Sequence, residues 1–225
     1  MIFGGLLLPK RLTAVDEIYL PHHFYLTPQD QVFYFGEYTP RQGYGYSKTN
    51  QFITNFKKSP SKRGTPEWQY KLLSIRQFTG SLAAAIKEEA IESDITFVPI
   101  PPSKVRTHPE YDDRMWQVLC GLNELQPQAD CRELVMQTDS TEAFHNLADQ
   151  RRLRPEELAD LYSVVDNGAA EPRNIIAVVD DMLTTGSHFK AMELALSRAW
   201  AGRQIIGLFA ARRVLPPPDF EFDEF

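Results

Sequence analysis

Cysteine is almost missing from this chain. Only Cys120 and Cys131 occur among 225 residues, with no Cys-x-x-Cys pair and no histidine at zinc spacing, so neither a disulfide framework nor a metal site is indicated. Both are expected to be buried thiols. Long apolar runs are missing too: the opening MIFGGLLLPKR is too short for a bilayer span and has no basic leader before its apolar part. It reads as a strand or early core segment, and a cytoplasmic protein with no membrane attachment is expected. Positive charge is not in excess either. The formal net charge of −6 argues against a surface that coats nucleic acid, although local patches remain open.

What the chain does have is enough apolar content, 43%, to bury one α/β domain with an appended segment. Its most informative stretch is IIAVVDDMLTTGS, Ile175 to Ser187. Ile175, Ile176, Ala177, Val178 and Val179 read as a strand buried on both faces, the mark of a parallel sheet. Ligands bind beyond the carboxyl ends of such strands, so Asp180 and Asp181 are expected to emerge into a site and to contribute little to the core. Two vicinal carboxylates suit two vicinal ribose hydroxyls. Thr184, Thr185, Gly186 and Ser187 then supply hydroxyls and close backbone N–H groups ahead of a helix, where a 5-phosphate fits.

The first ninety residues differ in character. Val32 to Tyr38 reads as a strand and RQGYGYS as a loop, after which Ser47 caps a short helix carrying Phe52, Ile53 and Phe56. A longer helix near Pro66 carries Trp68, Leu72, Ile75, Leu82 and Ile86 at helical spacing, with Gly80 as a weak point. These apolar and aromatic residues read as core. The basic cluster Lys57, Lys58, Lys62 and Arg63 reads most simply as a solvated loop, with phosphate tracking as the alternative.

A second buried strand, ITFVPI, begins at Ile95, and the loop past it holds Ser103, Lys104 and Arg106, the right chemistry for a second anion. Asp112 and Asp113 open the next helix, of Met115, Val118, Leu119 and Leu122. Arg132 to Gln137 reads as a third strand. The polar stretch from Thr138 ends at Pro155, a helix start, and contains Arg151, Arg152 and Arg154. IIGLFAARR reads as the final strand. After Pro216, Pro217 and Pro218 comes an acidic tail whose Phe220, Phe222 and Phe225 are candidates to anchor it on a basic surface, its own or a partner's.

The segment VVDDMLTTGS resembles the phosphoribosyl pyrophosphate (PRPP) motif of type I phosphoribosyltransferases. FYFGEYT followed by NQFITNFKK, and FVPIP, are similar to elements of the ComF-like, competence-associated members of that superfamily, over about Val32 to Arg213. The resemblance implies a parallel sheet flanked by helices with an N-terminal hood. It divides the chain into a hood and helical extension (1–90), a core (91–215) and a tail (216–225). It implies PRPP as ligand, with Mg2+ held through the PRPP, and phosphoribosyl transfer to an unidentified nitrogen acceptor. By the same resemblance Asp180 to His188, including Met182 and Leu183, would bind the ribose 5-phosphate. Ser103 and Lys104, with Arg106 or Arg114, would bind pyrophosphate. Asp180, Asp181, Arg151 and Arg152 would serve catalysis, the two arginines offsetting the leaving charge from a mobile loop. The alternative is a PRPP-sensing or adaptor protein without turnover, with a link to DNA uptake or processing.

Overall fold

The computed structural model describes residues 8–86, 94–139, 153–165 and 170–214. Arg151, Arg152 and the tail, with Phe220, Phe222 and Phe225, lie outside the described residues. The strands and helices run β1 (Thr13–Ala14), β2 (Gln31–Tyr38), α1 (Lys48–Phe56), α2 (Trp68–Ala85), β3 (Ile95–Pro99), α3 (Arg114–Leu125), β4 (Asp130–Cys131), β5 (Val135–Gln137), α4 (Pro155–Ala159), β6 (Tyr162–Val164), β7 (Ile175–Leu183), α5 (Ser187–Ala199) and β8 (Gln204–Arg213).

This is an α/β fold built on a mixed, mostly parallel six-stranded sheet in the order β1-β2-β8-β7-β3-β4. Only β1 pairs antiparallel, on β2; the register Val178↔Gly207 and Val98↔Val178 sets β7 between β8 and β3. The β7 run is buried on both faces because the pleat sends alternate residues to opposite cores. Ala177 and Val179 join Phe97 and the cluster under α1, α2 and α3, while Ile176 and Val178 join Val98 and the cluster under α5. No helix among the described residues is long and apolar enough to cross a membrane.

The segment read as an extension is woven into this sheet: β2 lies inside it, between β1 and β8. Ser47 caps α1 by accepting from the Asn50 amide, and Phe52, Phe56 and Phe78 pack ring to ring beneath it. The buried stripe of α2 is Ile75, Phe78 and Leu82; Leu72 falls off it and is exposed.

Two expectations are corrected. The segment 132–137 is not one strand. Asp130–Cys131 extends the main sheet on β3, and the chain then crosses to the other core, where Leu134 and Val135 are buried and Val135–Gln137 pairs antiparallel with Tyr162–Val164. Nor are the cysteines buried: Cys120 is exposed, off the Met115, Val118, Leu119 and Leu122 stripe of α3, and Cys131 is partly exposed on a two-residue edge strand.

Candidate ligand-binding site

The turn after β7 is built around Gly186, whose φ of +84° is left-handed and whose Cβ, were there one, would sit 2.8 Å from Leu26 Cδ2. Glycine is therefore required twice over, for conformation and for space. The same N-terminal strap holds the turn by its carbonyls. His23 Nδ1 donates to the Thr184 oxygen at 2.5 Å, and the Tyr25 amide donates to the Thr185 oxygen at 2.9 Å. With the carbonyls fixed on the strap side, the turn leads into α5, whose first N–H groups have no intrahelical acceptor and carry the positive end of the helix dipole. Thr185 Oγ1 and Ser187 Oγ lie 3.2 Å apart beside them. The side chain of Leu183 points into the core, 1% exposed, so it reaches no ligand.

The strand does not stop before the acids, as the sequence reading has it, but runs on through Leu183. Adjacent residues on a strand face opposite sides, so Asp180 and Asp181 take different partners. Asp181 is on the α1 and α3 side, 3% exposed. Its Oδ2 accepts from Arg114 Nε (3.0 Å) and Nη2 (2.6 Å), and Lys57 Nζ lies 3.0 Å from Oδ1. Burial alone would raise its pKa, but the two cations overcome that and hold it well below the carboxylate range. Arg114 also donates from Nη1 to Asp112 Oδ2 at 2.7 Å, and fully buried Lys71 donates to the same oxygen at 2.6 Å. The chain Lys57–Asp181–Arg114–Asp112–Lys71 thus stitches the end of α1, β7, the start of α3 and α2 together. Among the described residues no cation is ion-paired with Asp180, and Lys57 and Arg114 act on it only from a distance. Its Oδ1 accepts from the Asp181 amide at 2.7 Å, while burial and then the Asp181 charge push its pKa up to about 7.

Across from these acids, the loop past β3 closes a cavity of about 450 Å³. The structure brings Ser103, Lys104, Arg106, Arg114, Asp180, Asp181, Met182, Thr184 and His188 into its wall. Arg106 is held by Glu133, Nη2 to Oε2 at 2.6 Å, and the Ser103 carbonyl accepts from Gln137 Nε2 at 3.1 Å. His188 Nδ1 lies 3.0 Å from the Tyr162 hydroxyl, and burial lowers its pKa. Tyr111, Met115, Trp116 and Met136 add apolar and aromatic wall.

The residues that sequence reasoning missed are His23, Lys71 and Asp112 as scaffolding, and Lys57 as a cavity residue. The basic cluster is not one solvated face: Lys57 meets Asp181, Arg63 meets Asp113, and the Lys58 carbonyl accepts from Lys71. Among the described residues no group of three or more His, Cys, Asp or Glu side chains is placed to hold a metal ion. Comparison with protein-family models and with curated proteins returns no match for this chain.

Proposed function

We propose that this chain is a type I phosphoribosyltransferase-like protein, of the ComF-like kind, that binds PRPP. It transfers the phosphoribosyl group to a nitrogen acceptor with release of pyrophosphate. One observation carries the reading: two anion-type loops, Thr184–Ser187 and the 101–106 loop, sit at the carboxyl ends of adjacent parallel strands, and the cavity between them is lined by Ser103 to Arg106, Asp180 and, from the first loop, Thr184 alone, with Thr185, Gly186 and Ser187 set behind it.

In this reading the turn before α5 holds the 5-phosphate and Asp180 accepts from the ribose hydroxyls. Ser103 and Lys104 take the diphosphate, with Arg106 beside them. The bond from C1 to the diphosphate oxygen breaks with its electron pair going to that oxygen, the acceptor nitrogen bonds to C1, and that nitrogen's proton passes to the departing diphosphate or to water. Stabilisation is positional and electrostatic, so the site needs no strong base. Arg114 is assigned to hold Asp181 in place rather than to meet pyrophosphate. The donor set suits Mg2+ carried by the ligand: Asp180 offers one carboxylate oxygen beyond its backbone contact, too few for a protein cage and enough for a hydrated ion. The ion would supply charge neutralisation on the departing diphosphate. The aromatic wall of Tyr111 and Trp116 is the proposed acceptor side. A cytoplasmic setting is part of the proposal and agrees with two free cysteines.

The commitment of Asp181 to Lys57 and Arg114 favours a second reading, capture of PRPP without turnover by a sensing or adaptor protein, because it leaves one carboxylate for the sugar. Calorimetry with PRPP and Mg2+, followed by a pyrophosphate-release assay with ammonia, simple amines and nucleobases, separates the two. Binding with release supports the transferase, binding alone supports the sensor, and no binding overturns both.

A further inference from the structure

We propose that Lys57, at the carboxyl end of α1, is a further diphosphate-facing cation of the site, opposite Lys104 and Arg106 and supplied by the segment outside the core that the sequence defines. The inference rests on the PRPP reading above and adds a residue to it.

The charge chain of Lys57, Asp181, Arg114, Asp112 and Lys71 contains three cations and two carboxylates. One positive charge is left over. Lys71 cannot deliver it: the side chain is fully buried and donates to Asp112 and to the Lys58 carbonyl. Arg114 cannot either, since it spans Asp181 and Asp112 with three of its nitrogens. Lys57 is the outermost member, its side chain 42% exposed, and it lines the cavity. An ammonium has three donors, and the carboxylate oxygen of Asp181 occupies one. Bridging a carboxylate and a phosphate is what such a point charge on a flexible stem does well.

The position of Lys57 is also prepared. It follows the last residue of α1, where the negative end of the helix dipole favours a cation, and the helix is anchored by Phe52, Ile53 and Phe56, all nearly inaccessible. The cation is thus held on a rigid support while its head group keeps solvent access. Asp181 orients Lys57 just as it orients Arg114, which gives the second acid of the pair a task other than sugar binding.

The test is calorimetry of the full chain with inorganic pyrophosphate plus Mg2+, and separately with ribose 5-phosphate, for the parent, Lys57→Met and Lys57→Arg. Methionine keeps an apolar stem, Asp181 keeps both Arg114 contacts, and the loss of this half-exposed lysine leaves two cations against two carboxylates with no buried charge unpaired, so the fold is retained. Lys57→Met is expected to weaken pyrophosphate by about tenfold or more, one charge-assisted contact, and ribose 5-phosphate by less than about twofold. Lys57→Arg is expected to recover most of the pyrophosphate affinity. Unchanged pyrophosphate binding in Lys57→Met overturns the proposal, and so does an equal loss of both ligands, which assigns Lys57 to scaffolding. A parent that binds neither ligand overturns the PRPP reading itself, and this inference with it.

Discussion

His23 Nδ1 lies 2.5 Å from the carbonyl oxygen of Thr184, so a residue 161 positions earlier in the chain fixes the turn that follows β7. The histidine is fully buried, and its Nε2 has no hydrogen-bond partner among the described residues. Burial lowers its pKa, with Arg212 and His22 adding to the effect against the Thr184 hydrogen bond. The ring is therefore neutral, with its proton on Nδ1, and it acts as a donor of fixed direction. The strap from Asp16 to Leu26 is in effect the back wall of the proposed phosphate turn.

Replacing His23 with phenylalanine should show this. The ring volume is kept, but the Thr184 carbonyl loses its donor in a buried place, which costs about 1–3 kcal/mol. Urea unfolding is expected to register that loss, and calorimetry a weaker PRPP complex. An unchanged urea midpoint would mean that the turn stands without the strap.

Acid should destabilise the protein through two histidines, buried His23 and half-buried His188. His23 and His188 both titrate below the ordinary 6.5, so the unfolded chain takes up protons before the folded one does. The stability they contribute is complete above pH 6.5 and is lost as the pH falls through their folded values. Asp180 works in the opposite sense: raised to about 7, it is neutral in the folded protein where the unfolded carboxyl has ionised, so stability falls as pH rises from 3.8 to that value. Asp181, held low, stays ionised throughout. Asp180→Asn removes the opposing contribution. Urea midpoints of that variant should drop more steeply between about pH 7.5 and 5.5 than those of the parent. Equal slopes would contradict the assignment of Asp180.

Gly186→Ala tests the turn directly. A left-handed backbone costs a non-glycine residue about 1–2 kcal/mol, and the new methyl would press on Leu26 Cδ2 at 2.8 Å. Loss of stability and of phosphate-ligand affinity are expected together. Leu26 is itself core, so the comparison is a double-mutant cycle: in a Leu26→Ala background the clash is gone and only the conformational part remains, and Gly186→Ala should lower the thermal midpoint by less than it does in the parent. An equal loss in both backgrounds would place the whole effect in the backbone.

Much of the architecture was legible because it is local. The β-branched run of β7, the Ser47 cap and the Gly186 turn each carry their signal within a few residues. What escaped is long-range. Lys57 sits in a basic run that looks like any solvated loop, and its partner Asp181 is brought to it only when α1 docks beside β7. The apolar pattern of 132–137 is real, since Leu134 and Val135 are buried, but periodicity does not say which of two sheets receives a strand. Cys120 is exposed because it lies off the α3 stripe, which residue type alone does not show. The two acids were legible as a pair, and their division of labour was not, because it depends on the strand continuing past them.

That division gives the sharpest pair of variants. As strand-end carboxylates, Asp180 and Asp181 would be replaceable alike with little effect on the fold. Asp181 instead neutralises Arg114 and Lys57 at a buried position, and removing one partner of such a group costs about 3–5 kcal/mol because it leaves an uncompensated charge. Asp181→Asn is therefore expected to unfold at markedly lower urea. Asp180→Asn removes a carboxylate that burial already disfavours, so its stability near neutral pH should equal or exceed the parent's, while its affinity for ribose 5-phosphate falls. Parallel urea and calorimetry measurements on the two single variants decide the matter. If both unfold like the parent, the ion-paired role of Asp181 is wrong, and if Asp180→Asn binds ribose 5-phosphate as the parent does, Asp180 is not the sugar ligand.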